Sequence, residues 1–452
     1  MSIFTPAKAF FRMSCYGRVV RERLDPIVSP DIVAPHVHTI SGGAGFNPNM
    51  TFEDARASKC SSCEIKEDMS NYWTPQLYVK KKDGTFRPVP VVGDSQDSNG
   101  GMTVYYLSQR GPKTDKFKAF PEGFRMLAGE TTKRSFTRNR EALAISFACL
   151  GAGQPETNSM PNYRCPNGLR AQVFFPSCWN GRDLDSPDHR SHMSYPVGRP
   201  NEGECPSDFP VHLISIFYEV YYDTPQFDSE WDGDNHPFVF SNGDPTGFGF
   251  HGDFINGWDV NVLQNAVDTC LDESGTTSRC NAVTLYTAAE SNSCKLPSVV
   301  DEQVDGTLHQ LPGCNPIFYG PEPATPPSCP KTELSAPIGN FVDLTSSRRW
   351  EYTGCGPETP GGRAFTGTMI AADDMTVETC VDFCSSADFS YAGLEYGREC
   401  YCDNVLHEIN TPEDGVIGNC TMRCAGNEME SCGNAGSMSI YRKCDLAAKC
   451  EN

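Results

Sequence analysis

The chain has 452 residues, 37 Lys+Arg against 58 Asp+Glu for a formal net charge of −21, and 22 cysteines. Such a charge speaks against nucleic acid and anionic membrane as partners, since both require a positive footprint, and no apolar run approaches the roughly twenty residues that span a bilayer. The length allows a large domain plus smaller ones, and cysteines in this number indicate an oxidising compartment in which they pair.

The N-terminal stretch MSIFTPAKAFFRMSC has no apolar leader core, so the sequence reads as a mature, secreted chain. From Phe10 to about Pro312, turn signals such as SGGAG, KKDGTF, DSNGG and SNGDPTG alternate with β-branched and aromatic runs such as TVYYL, AQVFF and HLISIFYEVYY. That rhythm predicts a mainly β large domain, a jelly-roll-like β-sandwich. Two helical candidates lie within it; the first has its length against it and the second is the one expected. Met50 to Lys59 is short and has Thr51 as a cap, and Asp259 to Cys270 places Val262, Ala266 and Cys270 four residues apart. The one CxxC, Cys60 to Cys63, has no second pair and reads as one or two staples rather than zinc or thioredoxin chemistry.

Beyond Pro312 the segment NPIFYGPEPATPPSCPKTELSAP is Pro-rich and predicts an extended tether. The chain is therefore divided into a β-rich domain at 1–314 that carries the chemistry, a linker at 315–345 and a small C-terminal domain with a Cys-containing tail at 346–452. The small domain holds Cys355, Cys380, Cys384, Cys400, Cys402, Cys420, Cys424 and Cys432. Its apolar core is too thin to hold it without disulfides. Even numbers of cysteines in each block suit disulfides without giving their connectivity. The sequons at Asn49 and Asn419 are compatible with a secreted glycoprotein.

The strings CVDFC, ECYCDN and SCGNAGSMSIYR, with Gly354-Cys355 and the Gly393–Tyr396 stretch, resemble the WSC module over about Trp350 to Tyr441. The resemblance implies carbohydrate binding at fungal cell surfaces. In the large domain, the run DPIVSP before His36-Val37-His38, Asn71–Pro75, FPEGFRMLAG, CWNGRDLDSPDHRSHM and GDPTGFGFHGDFINGWD resemble a fungal secreted family known as a domain of unknown function. That resemblance spans roughly residues 10 to 270 and implies association with wall polysaccharide.

Five of the nine histidines lie in three strings, at His36/His38, His189/His192 and His251. Residues two apart on a strand face the same way, and DHxxH pairs its histidines on one face of a helical turn. Such spacings suit metal ligation or gripping of sugar hydroxyls. Glycoside hydrolysis instead needs two carboxylates. Asp188 and Asp253, each near a histidine, come first for that role, followed by Asp185 and Asp183. His36, His38, Trp73, Trp179, His189, His192, Asp244, His251 and Trp258 are the substrate-binding candidates, because rings beside polar groups make sugar subsites. No G-x-S-x-G, H-E-x-x-H, Walker loop or laminarinase-type acidic repeat is present.

The expected function is that of a monomeric, secreted glycoside hydrolase, endo-β-1,3-glucanase-like, cleaving cell-wall β-glucan and anchored to the polymer by its WSC module. The alternatives are a lectin-like wall protein that only binds and a metal-dependent polysaccharide lyase or oxidase. No cofactor is expected, while a divalent metal stays open at His36, His38, His189, His192 and His251.

Overall fold

The computed structural model describes residues 10–92, 102–107, 116–325, 327, 332–338, 342, 344–345, 347–412, 420–427 and 429–444. Contacts divide the chain into two compact units. One comprises Met1–Leu77, Val89–Lys295 and Pro316–Pro327; the other comprises Tyr78–Pro88, Leu296–Asn315 and Ser328–Asn452.

The first unit is built on β1 (Phe10–Cys15), β2 (Val20–Glu22), β3 (His38–Gly42), β4 (Asn71–Pro75), β5 (Met102–Leu107), β6 (Arg125–Gly129), β7 (Ile145–Cys149), β8 (Leu169–Phe174), β9 (Ser215–Tyr222) and β10 (His251–Ile255). They form two five-stranded sheets, β1-β5-β9-β8-β7 and β2-β3-β4-β10-β6, and every pairing is antiparallel. In β1, Phe11, Met13 and Cys15 are buried while Arg12 between them is exposed, the period-two pattern of a strand with one face on a core.

The sheets face each other through aromatic side chains. Tyr72 of β4 meets Tyr218 of β9 edge to face at 5.7 Å, and the Tyr218 hydroxyl donates to the Asp253 carbonyl at 2.9 Å. Gly252 of β10 lies at this seam, where an added Cβ would come within 2.9 Å of Phe175 and 3.0 Å of Val173. This is the sandwich expected from the turn-and-strand rhythm.

Helices decorate it, among them α1 (Phe52–Arg56), α2 (Arg140–Leu143) and α3 (Val260–Thr269). The short α1 forms because Thr51 and Asp54 cap its first turn reciprocally. In α3, Asp259 accepts from the amides of Asn261 and Val262. Its buried face is Leu263, Ala266 and Val267, with the expected Val262 only half-buried. Cys60 and Cys63 are two separate staples, to Cys294 and Cys15.

In the second unit, β11 (Trp350–Pro357), β12 (Thr368–Ala371), β13 (Tyr391–Glu395), β14 (Glu399–Asp403) and β15 (Ser437–Lys443) form an antiparallel sheet in the order β11-β15-β13-β14-β12. Cys380 and Cys384 share one face of α4 (Val377–Ser386), and Cys400 and Cys402 share one face of β14. Two parallel disulfides, Cys380–Cys400 and Cys384–Cys402, therefore clamp the helix to the sheet, and Cys355–Cys420 and Cys424–Cys432 complete the framework. Within the Pro-rich stretch 315–345, residues 326, 328–331, 339–341 and 343 lie outside the described residues, while Leu334–Ile338 is a strand paired with Ser298–Val300. Asn49 is exposed, and Asn419 lies outside the described residues.

Candidate functional site

Tyr72, Gly252 and Phe254 take the inner face of the second sheet, so strand alternation turns His38, Trp73, His251 and Asp253 to its outer face. The register agrees: Asp253 is flanked by Trp73 on β4 and Leu127 on β6, and His251 stands opposite Gly129. Gly129 has φ +86°, and an added Cβ there would lie 2.6 Å from the Phe250 carbonyl and 3.1 Å from the His251 Cβ. Glycine at this position makes room for the His251 side chain.

His36, in the loop entering β3, completes a cluster of three imidazoles. Its ring centroid is 4.3 Å from that of His38 and 5.0 Å from that of His251. The three residues are 6%, 0% and 3% exposed. The Nε2 atoms of His36 and His251 are 3.0 Å apart, and those of His251 and His38 are 3.5 Å apart.

The backbone fixes the tautomers. His38 Nδ1 lies 3.0 Å from the Leu24 carbonyl and His251 Nδ1 lies 2.9 Å from the Gly249 carbonyl. A carbonyl only accepts, so both Nδ1 atoms carry the hydrogen and both Nε2 atoms present lone pairs. Two lone pairs thus face each other with no hydrogen between them. Burial opposes a proton there, bringing His38 and His251 down to about 3. It also lowers His36 well below the usual imidazole value, helped by the other two rings. Neutral imidazoles with converging lone pairs, oriented by backbone carbonyls through the opposite nitrogen, have the chemistry of a site for a first-row divalent cation.

Asp253 adds a carboxylate. Its Oδ2 is 3.9 Å from His251 Nε2, the residue is 2% exposed, and Oδ2 has no hydrogen-bond partner. Burial raises its pKa well above the usual range, reinforced by Asp25 and opposed by Arg190. The two other groups of clustered ligand side chains among the described residues contain disulfide cysteines, Cys178–Cys205 in one and Cys380–Cys400 and Cys384–Cys402 in the other. They offer no thiolate.

The 183–192 loop is a different environment. Asp188 accepts from the amides of Arg190 and Ser191 and from the Ser186 and Ser191 hydroxyls, bonds that hold its carboxyl well below the usual range, the Ser191 amide foremost. Asp183 is gripped by Arg182 and Asn180, and Asp185 by His189 Nδ1 at 2.8 Å. His192 spends one ring nitrogen on the Arg125 carbonyl and the other on Ser186 Oγ, both at 2.9 Å. The expected shared face of His189 and His192 does not form, because the segment is a set of turns with His189 at φ 55° rather than a helical turn. Of the four aspartates singled out for chemistry, only Asp253 joins the histidines.

The remaining sugar-binding candidates are also structurally engaged. Trp73 and Trp258 are fully buried, so neither indole face is open to a pyranose. Trp258 Nε1 donates to the Tyr106 hydroxyl at 2.8 Å, within a core network in which Tyr72 donates to Asp68. Trp179, half-buried, donates to the Asp183 carbonyl. Asp244 is buried beside Arg134 at 3.6 Å and accepts from the Thr246 and Gly249 amides, so it anchors its own loop. Residue types did not single out Asp25, Arg134 or Arg190, although Asp25 and Arg190 stand inside the strings DPIVSP and DHRSHM.

Residues 25–258 match the family model described as domain of unknown function DUF1996, and residues 352–434 match that of the WSC domain. Two WSC domain-containing proteins of Arthroderma benhamiae are 32% and 33% identical over 123 and 110 residues, 26% and 24% of this chain. Kremen protein 1 of Homo sapiens is 30% identical over 88 residues, 20% of this chain. The matched segments span 13%, 14% and 18% of those relatives' own lengths.

Proposed function

The chain belongs to the family described as domain of unknown function DUF1996, and we propose that it is a glycan-associated protein of the cell wall or extracellular space. In this reading its sandwich cleaves wall polysaccharide at a metal ion held by His36, His38 and His251. Nine disulfides between described cysteines support an oxidising location. Among the described residues no helix is long and apolar enough to cross a membrane. The WSC domain supports attachment to carbohydrate, and attachment raises the effective concentration of polymer at the sandwich.

One observation carries the metal reading: the Nε2 lone pairs of His38 and His251, forced together at 3.5 Å by carbonyls on their opposite nitrogens. A bound divalent ion supplies Lewis acidity and an activated water. Asp253, held toward its protonated form by burial, is placed to exchange a proton beside it. The two-carboxylate mechanism of glycosidases has less support, because Asp183, Asp185 and Asp188 are engaged within their own loop.

The test is a panel of wall glycans, β-1,3-glucan first, incubated with the purified chain and read by mass for released oligosaccharides, with and without chelator. Products that vanish with chelator and return with added zinc or manganese are expected. Products indifferent to chelator would restore the aspartate-only hydrolase, and binding without product from any polymer would make this a wall-binding protein.

A further inference from the structure

Next to the histidine centre lies a cleft of about 680 Å³, a size that accommodates a few sugar residues. Its charge runs against that of the molecule. In a chain of net charge −21 the cleft is lined by three arginines, Arg138, Arg140 and Arg190, and one acid, Glu141. Glu141 is 3.7 Å from Arg190. Arg138 and Arg140 are exposed and form no ion pair with any described residue. The backbone that presents them is fixed: Arg138 sits in the left-handed region at φ 55°, and the next residue, Asn139, caps α2 by accepting from the Ala142 amide at 2.9 Å.

The cleft borders the centre through two of its own residues. Leu127, in its wall, is the strand partner of Asp253, and the charge of Arg190 is felt at both His251 and Asp253. Leu127, Met193 and Tyr195 give it apolar lining, which suits the faces of pyranose rings, while a planar guanidinium matches a carboxylate in two-point contact.

We propose that this cleft binds an acidic polysaccharide, with Arg138 and Arg140 taking the carboxylate of a uronate residue. The inference rests on the reading of the sandwich as the part that acts on glycan, and it narrows the substrate class to uronate-bearing chains.

The experiment is calorimetry on the full chain in chelator, so that binding is read without cleavage. The probes are an oligogalacturonate, a neutral β-1,3-gluco-oligosaccharide and a sulfated dextran oligosaccharide. The wild type is expected to prefer the oligogalacturonate by about tenfold or more. The Arg138→Ala/Arg140→Ala double variant is expected to lose that preference while its melting temperature and its binding of neutral glycan stay unchanged. Equal binding of uronate and neutral probes, a preference that survives the double variant, or sulfated dextran bound as well as uronate would each overturn the proposal. Zinc binding is measured on the same preparations without chelator. A wild type that prefers uronate yet binds no zinc keeps the cleft and loses the metal centre, whereas one that binds zinc without uronate preference keeps the centre and loses the cleft.

Discussion

The histidine centre and the 183–192 loop are made of the same residue types, histidine with aspartate close by, and use them in opposite ways. In the loop, Asp183, Asp185 and Asp188 accept hydrogen bonds from residues within four positions, and both His192 nitrogens are occupied. In the centre, residues 213 and 215 positions apart are brought together by sheet register and by the loop entering β3, and the Nε2 lone pairs of His38 and His251 and Asp253 Oδ2 are left near one another. Where a turn sets the position of a polar group, the turn also satisfies it. In the centre, where distant strands set the positions, no neighbour in sequence satisfies the Nε2 atoms of His38 and His251.

Substitution breaks this contrast most sharply at the histidines. His38→Ala or His251→Ala should weaken zinc binding by more than about 100-fold and abolish chelator-sensitive glycan cleavage. Asp188→Ala should leave both within about threefold. Calorimetry and product analysis on the two sets separate them, and equal losses in both would erase the distinction. A smaller effect is expected from Asp253→Asn, which keeps shape but cannot exchange a proton: a rate lower by about 10²–10⁴-fold with an unchanged melting temperature, read from initial rates and thermal denaturation.

Stability tests sharpen the loop side. Asp188→Ala removes a cap-like acceptor and should cost about 1 kcal/mol by chemical denaturation. The folded-state pKa of Asp188 is depressed, so its contribution is complete above the unfolded value of about 3.9 and is lost as pH falls below that toward the folded value. The difference between wild type and variant should therefore shrink on acidification below about pH 4 and stay flat above it. Smallest of all, His189→Asn should change stability by less than about 0.5 kcal/mol, since asparagine tolerates the left-handed backbone and the exchanged contact with Asp185 is near the surface.

Much of this architecture is legible in the residues. Thr51 announces its short helix, whereas the four-residue spacing of Cys380 and Cys384 and the two-residue spacing of Cys400 and Cys402 match the periods of their helix and strand only once the pairing is known. The histidine pair at 36 and 38 is legible as a pair, but not as the strand that its spacing predicts, because His36 lies in the loop before β3. What could not be read locally was which distant string would join it: His251 and the DHRSH string look equally suitable, and only the register of β10 between β4 and β6 selects His251. Trp73 and Trp258 are not told apart from subsite rings by their neighbours in sequence, because a ring beside a polar residue looks the same in a sugar subsite and in a buried core. Burial depends on the whole sandwich, not on neighbours in sequence. The carbonyls of Leu24 and Gly249, which fix the tautomers, leave no mark in side-chain identity at all.

The most direct measurement is zinc titration of chelator-stripped full chain, wild type beside His38→Ala, by calorimetry with melting temperature recorded on the same samples. Binding of about one ion per chain by wild type with a raised melting temperature, and none by the variant, is the predicted result. A folded wild type that takes up neither zinc nor any other first-row divalent ion would contradict the histidine centre as a metal site.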